Sequence, residues 1–280
     1  MNRLNTAKRS QIVAALVEGN SIRATVRMTG AAKNTVTKLL VDLGAACAEF
    51  ADNALRDIPA GHIQCDEIWS FVGCKQRNVP EDRKGEFGIG DVWTWTAIDS
   101  DTKLVVSWLV GQRDLANAEA FMRDVASRVV GRPQISTDSL AAYRWAVGSA
   151  FGGEVDYATL NKVYGSATGG AGRYSPPVCI GCTKKKVLGS PDMQETSTSY
   201  VERQNLTMRM SMRRFTRLTN GFSKKVENLA AAVALHFVNY NFCRPHGSLN
   251  GRTPAQAAGI MAERMTVADI VRLLDRMEAA

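Results

Sequence analysis

The sequence predicts an α/β fold: a mixed β-sheet flanked by helices, preceded by a small all-α unit. Three observations predict it. Residues 6–49 have apolar residues three and four apart, which is typical of helices. From residue 62 the apolar residues alternate instead, in three segments rich in Trp, Val and Ile that predict strands. Helical and strand patterns then follow one another, an order typical of helices packed on both faces of a mixed sheet.

The N-terminal segment has the spacing of a helix-turn-helix unit. A first helix breaks at Gly19-Asn20, a short second helix runs to Gly30, and a longer third helix begins near Ala32. Residues 1–50 carry seven basic side chains and three acidic ones. In such a unit the third helix enters the major groove of DNA. We therefore expect phosphate or base contacts from residues at its start: Lys33, Asn34, Thr35, Thr37 and Lys38. The alternative is a three-helix bundle with a solvated basic face.

The rest of the chain divides into elements by pattern. After the first strand, the second and third predict a hairpin across Ser100-Asp101. The four strand tryptophans are expected in the core: Trp69, Trp93, Trp95 and Trp108. Residues 161–198 are rich in Gly, Ser, Pro and Lys and predict a long irregular insert. The predicted divisions are a DNA-binding domain at 1–50, a linker at 51–61, an α/β domain at 62–260 and a C-terminal helix at 261–280.

Composition restricts the class of partner and the location. The 280 residues carry a formal net charge of +8, which favours a polyanionic partner such as nucleic acid. No apolar run approaches the ~20 residues of a membrane span, and the N-terminus lacks the apolar core of a signal peptide, so we expect a cytoplasmic protein. The six cysteines are then expected to be reduced. Cys179-x-x-Cys182 is either half of a zinc knuckle or a turn with two buried thiols.

One stretch, STSYVERQNLTMRMSMRRF at residues 197–215, carries a single carboxylate, Glu202, among four arginines. From Arg203 to Lys225 there are seven basic residues and no acid: Arg203, Arg209, Arg213, Arg214, Arg217, Lys224 and Lys225. At helical spacing, Glu202, Leu206, Arg209 and Arg213 share one face, beside an apolar stripe of Val201, Met208, Met212 and Phe215. A capping box of Ser199 with Glu202 explains the acid but not the basic surface.

Two further acids, Asp66 and Asp138, occupy positions where the presence of a carboxylate requires an explanation. Asp66 lies inside the first apolar strand, where it is costly unless it is paired or binds a cation. Asp138 ends a strand and opens a helix, so it is either an N-cap or a site residue. Together with Glu202 they fit a catalytic triad that holds two Mg²⁺ ions for phosphodiester chemistry, with Mn²⁺ as an alternative ion. Glu67, on the opposite face of the strand from Asp66, is the rival for the first position.

These motifs resemble those of bacterial insertion-sequence transposases of the DDE class, whose catalytic domain has a ribonuclease H-like fold. The matching residues are Asp66-Glu67-Ile68-Trp69, Thr137-Asp138, and the Y-x-E-R-x-N motif from Tyr200 to Asn205. Arg209 follows Glu202 by seven positions, as a basic residue does in that family. The ending at residues 239–260 is also similar to that of many such enzymes. The spacing between the second and third acids, 64 residues, is longer than in retroviral-type integrases.

The resemblance implies a DNA transposase that cleaves and joins DNA at the ends of an insertion sequence. It implies Asp66, Asp138 and Glu202 as catalytic metal ligands, with DNA also held by Arg203, Arg209 and Arg213. The expected partner is double-stranded DNA, both element ends and target, bound by a homo-oligomer. Two alternatives are a DNA-binding regulator that kept an inactive ribonuclease H-like domain, and a structure-selective nuclease of the same fold.

Overall fold

The computed structural model describes residues 4–165, 178–216 and 219–277. The helices are α1 Thr6–Val17, α2 Ile22–Thr29, α3 Lys33–Ala54, α4 Leu115–Arg128, α5 Ala141–Phe151, α6 Ser199–Ser211, α7 Val226–Val238, α8 Pro254–Ala257 and α9 Val267–Met277. The strands are β1 His62–Val72, β2 Gly90–Asp99, β3 Val105–Gly111, β4 Gln134–Thr137, β5 Asp156–Gly165 and β6 Val178–Leu188. None of the described helices is long and apolar enough to cross a membrane.

The strands form one mixed sheet in the order β3-β2-β1-β4-β5-β6. The first three strands are antiparallel, whereas β4 and β5 run parallel to β1, and β6 is antiparallel to β5. This order and polarity are compatible with a ribonuclease H-like fold. The short β4 pairs with β1 only from His62 to Gln64, so the described strands leave the edge of β1 beyond Gln64 open on that side as far as a parallel bridge of Val72 with Ser223.

The helices cover the two faces of this sheet. On one face the buried Trp95 of β2 contacts Phe121 of α4 and Tyr143 of α5, at ring distances of 5.9 and 5.4 Å. On the other face Trp108 of β3 contacts Phe237 of α7 at 5.1 Å. The expectation of a core position was wrong for Trp69, whose side chain is 41% exposed. It lies where β1 pairs with β2 on one side only, because β4 has already ended on the other side.

The N-terminal helices lie where the sequence predicted them. Side chains cap the first two, Asn5 for α1 and Ser21 for α2, and Gly30 ends α2 in the left-handed conformation at φ 69°. The third helix continues to Ala54 and packs against α7. At Gly44 a Cβ atom would lie only 2.3 Å from Ala231 Cα, so the two helix backbones are in close contact. The division into domains remains a prediction.

Part of the predicted irregular insert is a regular strand. Residues Asn161–Gly165 extend β5, and β6 pairs with them in an antiparallel ladder. Strand β6 was not predicted because its lysines and glycine have low strand propensity, whereas pairing with β5 stabilises it. Residues 166–177 of the insert lie outside the described residues. Cys179 and Cys182 are exposed on β6, which contradicts the interpretation as a turn with two buried thiols.

Candidate active site

A cavity of about 830 Å³ lies beside β1, just beyond the end of β4. The sheet order explains its position: β4 ends at Thr137, whereas β1 continues to Val72, so a gap opens along β1. The three acids singled out in the sequence line this cavity, and Glu67 lines it as well: Asp66, Glu67, Asp138 and Glu202. Arg113, Lys162 and Arg209 supply positive charge in the same wall.

Asp66 is held in the middle of β1 on the face covered by α6 and α7. Its partner across the ladder is Thr96 of β2. The side-chain amide of Asn205 on α6 donates to Asp66 Oδ2 at 2.8 Å. Burial, together with the neighbouring charge of Glu67, raises the pKa of Asp66 to about 7. The carboxylate is therefore a desolvated group with one hydrogen-bond donor among the described side chains.

Glu67 lies on the opposite face of β1, as its position in the strand predicted. Its ladder partner is Trp95, beneath α4 and α5. Arg113, which follows β3, donates from Nε to Glu67 Oε1 at 2.5 Å, and the hydroxyl of Tyr143 donates to Oε2 at 3.1 Å. Burial raises the pKa of Glu67, and the Arg113 hydrogen bond opposes that rise. Asp66 and Glu67 thus line one cavity from opposite faces of β1, because the strand edge between the two faces is open.

Asp138 follows β4 directly and does not cap α5. The residue at the N-cap position is Leu140, and no side chain bonds the first turn there. Asp138 Oδ1 instead accepts the backbone N–H of Leu140 at 2.8 Å, within the turn that precedes the helix. Its Oδ2 lies 3.7 Å from Nη2 of Arg113. The N-cap interpretation is wrong, and a carboxylate oxygen faces the cavity.

Glu202 lies in the first turn of α6, with Thr198 as the N-cap residue. The capping box of Ser199 with Glu202 is not formed: the helix begins one residue earlier than that motif requires. Lys162 Nζ of β5 donates to both carboxylate oxygens of Glu202 at 2.5 Å, and the Thr198 hydroxyl donates to Oε1 at 2.7 Å. An ion pair from a neighbouring strand therefore accounts for the orientation of this acid.

The acids divide into a compact group and a separate member. Asp66, Glu67 and Asp138 each offer an oxygen within 4.8 Å of the other two. Among the described residues Glu202 is not part of that group, and Lys162 donates to both of its oxygens. Carboxylate oxygens are the ligands that Mg²⁺ and Mn²⁺ prefer, and the mutual repulsion of these acids favours a cation between them. One further oxygen, Asn205 Oδ1, is buried without a hydrogen-bond partner in the described structure. The residues present fit a divalent cation.

The basic residues after Glu202 lie at two places rather than on one helical face. Leu206 and Arg209 line the cavity with Glu202. Helix α6 ends at Ser211, because Met212 is extended at φ −135°, so Arg213 lies beyond the helix and is exposed. Arg203 is exposed on α6. The expectation that Arg213 shares the face of Glu202 was wrong, whereas the apolar stripe of Val201, Met208, Met212 and Phe215 is buried as predicted. Arg217 lies outside the described residues.

The residues expected to contact DNA at the start of α3 are presented to solvent. Lys33, Asn34, Thr35 and Lys38 are exposed, and Thr37 is half-buried. Thr37 donates its hydroxyl to the carbonyl of Lys33 at 3.0 Å, and Lys38 is paired with Asp42 one turn on. Their role in binding DNA remains a prediction.

Three cavity residues had no clear signal in the sequence. Arg113 and Lys162 contact acids 46 and 40 residues away in the chain, so no local spacing indicates either pairing. Asn205 was visible only as the last letter of the Y-x-E-R-x-N motif. Asn205 is three residues after Glu202, which places both side chains on the same side of α6. That spacing is the sequence feature that could have indicated Asn205 as a site residue.

Comparisons with known proteins found similar solved structures but no sequence relative. No protein-family model matches the chain, and no curated protein matches it. A cryo-EM structure of a piggyBac transposase synaptic complex with hairpin DNA is similar over 100% of this chain and 74% of that chain, with a TM-score of 0.39 and 10% sequence identity. At this identity and TM-score the likeness does not identify the family or the function of the chain.

Proposed function

We propose that the protein is a metal-dependent DNA transposase that cleaves and joins DNA at the ends of an insertion sequence. One observation carries the proposal: Asp66, Asp138 and Glu202, chosen from their sequence motifs, line a single cavity at the open edge of β1. Basic residues line the same cavity, as a phosphodiester substrate requires: Arg113, Lys162 and Arg209. The motif resemblance from Asp66 to Asn205 supports the same reaction class.

Within this proposal Asp66, Asp138 and Glu202 would hold Mg²⁺, or Mn²⁺ in its place. Glu67 was expected as the rival of Asp66, but it lies with both Asp66 and Asp138, so it is here the alternative to Glu202. The ions supply activation of the attacking oxygen and stabilisation of the leaving oxygen. The role of the chain itself is to position charge. Asn205 orients Asp66 by donating to one oxygen, Arg113 holds Glu67, and Arg209 contacts a phosphate of the bound strand.

The proposal extends to the N-terminal helices and to the assembly. Helices α1–α3 act as a helix-turn-helix unit that recognises the element ends, through Lys33, Asn34, Thr35, Thr37 and Lys38. Arg203 and Arg213 contribute further contacts to the DNA backbone. The protein works in the cytoplasm as a homo-oligomer on DNA, because two element ends must be held together for joining.

The test is strand cleavage by alanine variants of the three acids. Asp66→Ala, Asp138→Ala and Glu202→Ala should each reduce Mg²⁺-dependent cleavage by at least about 100-fold, because each removes a ligand of the ions, while DNA binding stays within about two-fold. Asp82→Ala, at an exposed position of the short 3-10 helix Glu81–Arg83, is the matched control and should cleave normally. The measurement is gel electrophoresis of labelled duplexes that carry the inverted repeats flanking the gene.

A fourth variant separates the two possible third ligands. Glu67→Gln keeps the hydrogen-bonding shape but removes the charge, and it should retain more activity than Glu202→Gln if Glu202 binds the metal. The opposite order would assign Glu67 to the site. DNA binding by the wild type without any Mg²⁺- or Mn²⁺-dependent cleavage would contradict the proposal and favour a DNA-binding regulator.

A further inference from the structure

A second cleft of about 430 Å³ lies next to the acidic cavity. Arg209 lines both, so the two spaces adjoin at the end of α6. One wall is the open edge of β1 from Trp69 to Phe71, and the opposite wall is the segment around Phe222. Next to Phe71 and Phe222, Val72 forms a parallel bridge with Ser223. Its volume is within the ~300–1,000 Å³ range of small-ligand sites.

The β1 wall presents aromatic rings. Trp69 and Phe71 alternate on the strand and lie on one face, with ring centroids 5.8 Å apart. The ring of Phe222 packs against Phe71 at 4.9 Å. Burying the whole indole of Trp69 would stabilise the fold, yet 41% of the residue remains exposed beside this cleft. The exposed ring is therefore available to a planar group.

The other side of the cleft carries positive charge. Arg214 is half-buried and donates from Nε to the Ser223 hydroxyl at 2.8 Å. No carboxylate among the described residues forms an ion pair with Arg214, and burial lowers its pKa to about 10, which leaves it charged at neutral pH. Lys75 is exposed at the rim. A desolvated guanidinium without an acidic partner is costly, and an anion such as a phosphate would compensate it.

We propose that this cleft binds an unpaired nucleotide of a DNA strand, with the base against Trp69 and a phosphate at Arg214 and Lys75. Aromatic rings beside basic side chains are the general means of holding single-stranded nucleic acid without sequence preference. The inference rests on the proposed function and deepens it. The cleft adjoins the acidic cavity at Arg209. A DNA strand whose phosphodiester lies in the cavity would therefore place an adjacent unpaired nucleotide in the aromatic cleft.

The experiment compares binding of single-stranded and blunt duplex DNA by the full-length protein in EDTA. The probes are a fluorescein-labelled ~15-nucleotide oligothymidine and a blunt duplex of ~30 base pairs. Trp69→Ala should weaken oligothymidine binding about 10-fold and change duplex binding less than two-fold, because one stacking contact is lost. Trp69→Phe should recover most of the loss. Trp145→Ala, at a tryptophan of α5 that is 73% exposed, is the control and should bind as the wild type does.

Unfolding curves show whether Trp69→Ala keeps its fold. If it does not, Lys75→Ala provides the test, since Lys75 is exposed and its loss should weaken oligothymidine binding and reduce its salt dependence. The inference is overturned if Trp69→Ala and Trp145→Ala bind oligothymidine equally well, or if poly-glutamate competes with the oligothymidine as well as DNA does.

The two proposals fail in different ways. If the protein shows no metal-dependent cleavage but Trp69→Ala still weakens oligothymidine binding, the transposase proposal is contradicted and the proposed nucleotide cleft is supported. Normal cleavage with oligothymidine binding that does not depend on Trp69 would contradict the cleft alone.

Discussion

Lys162 holds Glu202 in an ion pair that, on the proposed function, a metal ion would have to break. Both oxygens of Glu202 accept from the ammonium group, so the carboxylate that would bind Mg²⁺ is already neutralised. Lys162→Met keeps the length of the side chain and removes this competing charge. We expect Mg²⁺ affinity to rise about two- to five-fold, in keeping with the modest energy of a partly exposed pair. Calorimetric titration of Mg²⁺ into the protein measures it.

Lys185→Met is the control for that measurement. Lys185 is an exposed lysine of β6, the strand next to β5, and it does not line the cavity. The Lys185→Met substitution should leave the Mg²⁺ affinity unchanged. A Lys162→Met protein with wild-type or weaker Mg²⁺ affinity would show that the ammonium does not compete with the ion.

Among single residues, the acids of the cavity could be predicted from the sequence better than the basic side chains that pair with them. Asp66 was recognisable because a carboxylate in an apolar strand requires compensation, and Glu202 because it was the one acid in a basic segment. Arg113 and Lys162 were not, since each meets its acid only through the fold. Trp69 was placed in the core because its strand pattern does not reveal that β4 is short.

The contact between α6 and α7 contains a buried histidine that makes stability depend on pH. His236 Nε2 lies 3.5 Å from the side-chain amide nitrogen of Gln204. Burial lowers its pKa from 6.5 to about 3, so the folded protein keeps it neutral while the unfolded chain takes up a proton below pH 6.5. The stability present above pH 6.5 is therefore lost as pH falls from there toward 3. Over this range His236 alone lowers the free energy of unfolding by up to about 1.4 kcal/mol for each unit that the pH falls.

His236→Leu should flatten this pH dependence between pH 6.5 and 4. Urea unfolding at several pH values gives the slope for both proteins. His62→Leu, at a half-buried position of β1, controls for loss of an imidazole. Equal slopes in the wild type and His236→Leu would mean that other groups cause the acid sensitivity.

The start of α3 is the element on which the DNA-recognition proposal depends. Lys33 is exposed in the first turn, so Lys33→Ala should weaken binding to specific and random duplexes alike and lower the salt slope by about one. Arg123→Ala removes an exposed positive charge from α4, on the other face of the sheet, and should have little effect. Gel shifts at several salt concentrations test both. An unchanged slope for Lys33→Ala would remove Lys33 from the interface.

Elements with strong periodicity were predicted well, and those that depend on neighbours were not. The hairpin of β2 and β3 and the N-terminal helices follow from local patterns and turn residues. Strand β6 was missed because its residues favour a strand only when β5 is beside them. The end of α6 was missed because no Gly or Pro marks Met212, where the backbone becomes extended.

For the whole molecule, the contact of α3 with α7 joins the two ends of the chain in one hydrophobic core. That core includes Ile12 and Leu40 from the N-terminal helices and Phe237 and Leu274 from the C-terminal ones. Gly44→Ala should separate the helices, because the new Cβ would lie 2.3 Å from Ala231 Cα. We expect the free energy of unfolding to fall by about 1–3 kcal/mol, despite the better helix propensity of alanine.

Gly148→Ala is the matched control for this prediction. Gly148 is also inside a helix, α5, but its Cβ would lie 3.7 Å from Leu188 Cδ1, an ordinary contact. This substitution should be neutral or stabilise by up to about 1 kcal/mol. Urea unfolding of the two variants and the wild type compares them. A Gly44→Ala protein as stable as Gly148→Ala would show that α3 and α7 move apart easily.

The length of α3 has a consequence for the DNA product. Its 22 residues span about 33 Å, and its close contact with α7 at Gly44 lies near the middle of that length. On the proposed function, α3 and β1 share one hydrophobic core, which would fix the separation between the recognised bases and the catalytic cavity. Each copy of the protein would then cut a constant number of base pairs from the sequence it recognises, and inserting one base pair between the two would move the cut relative to the element end.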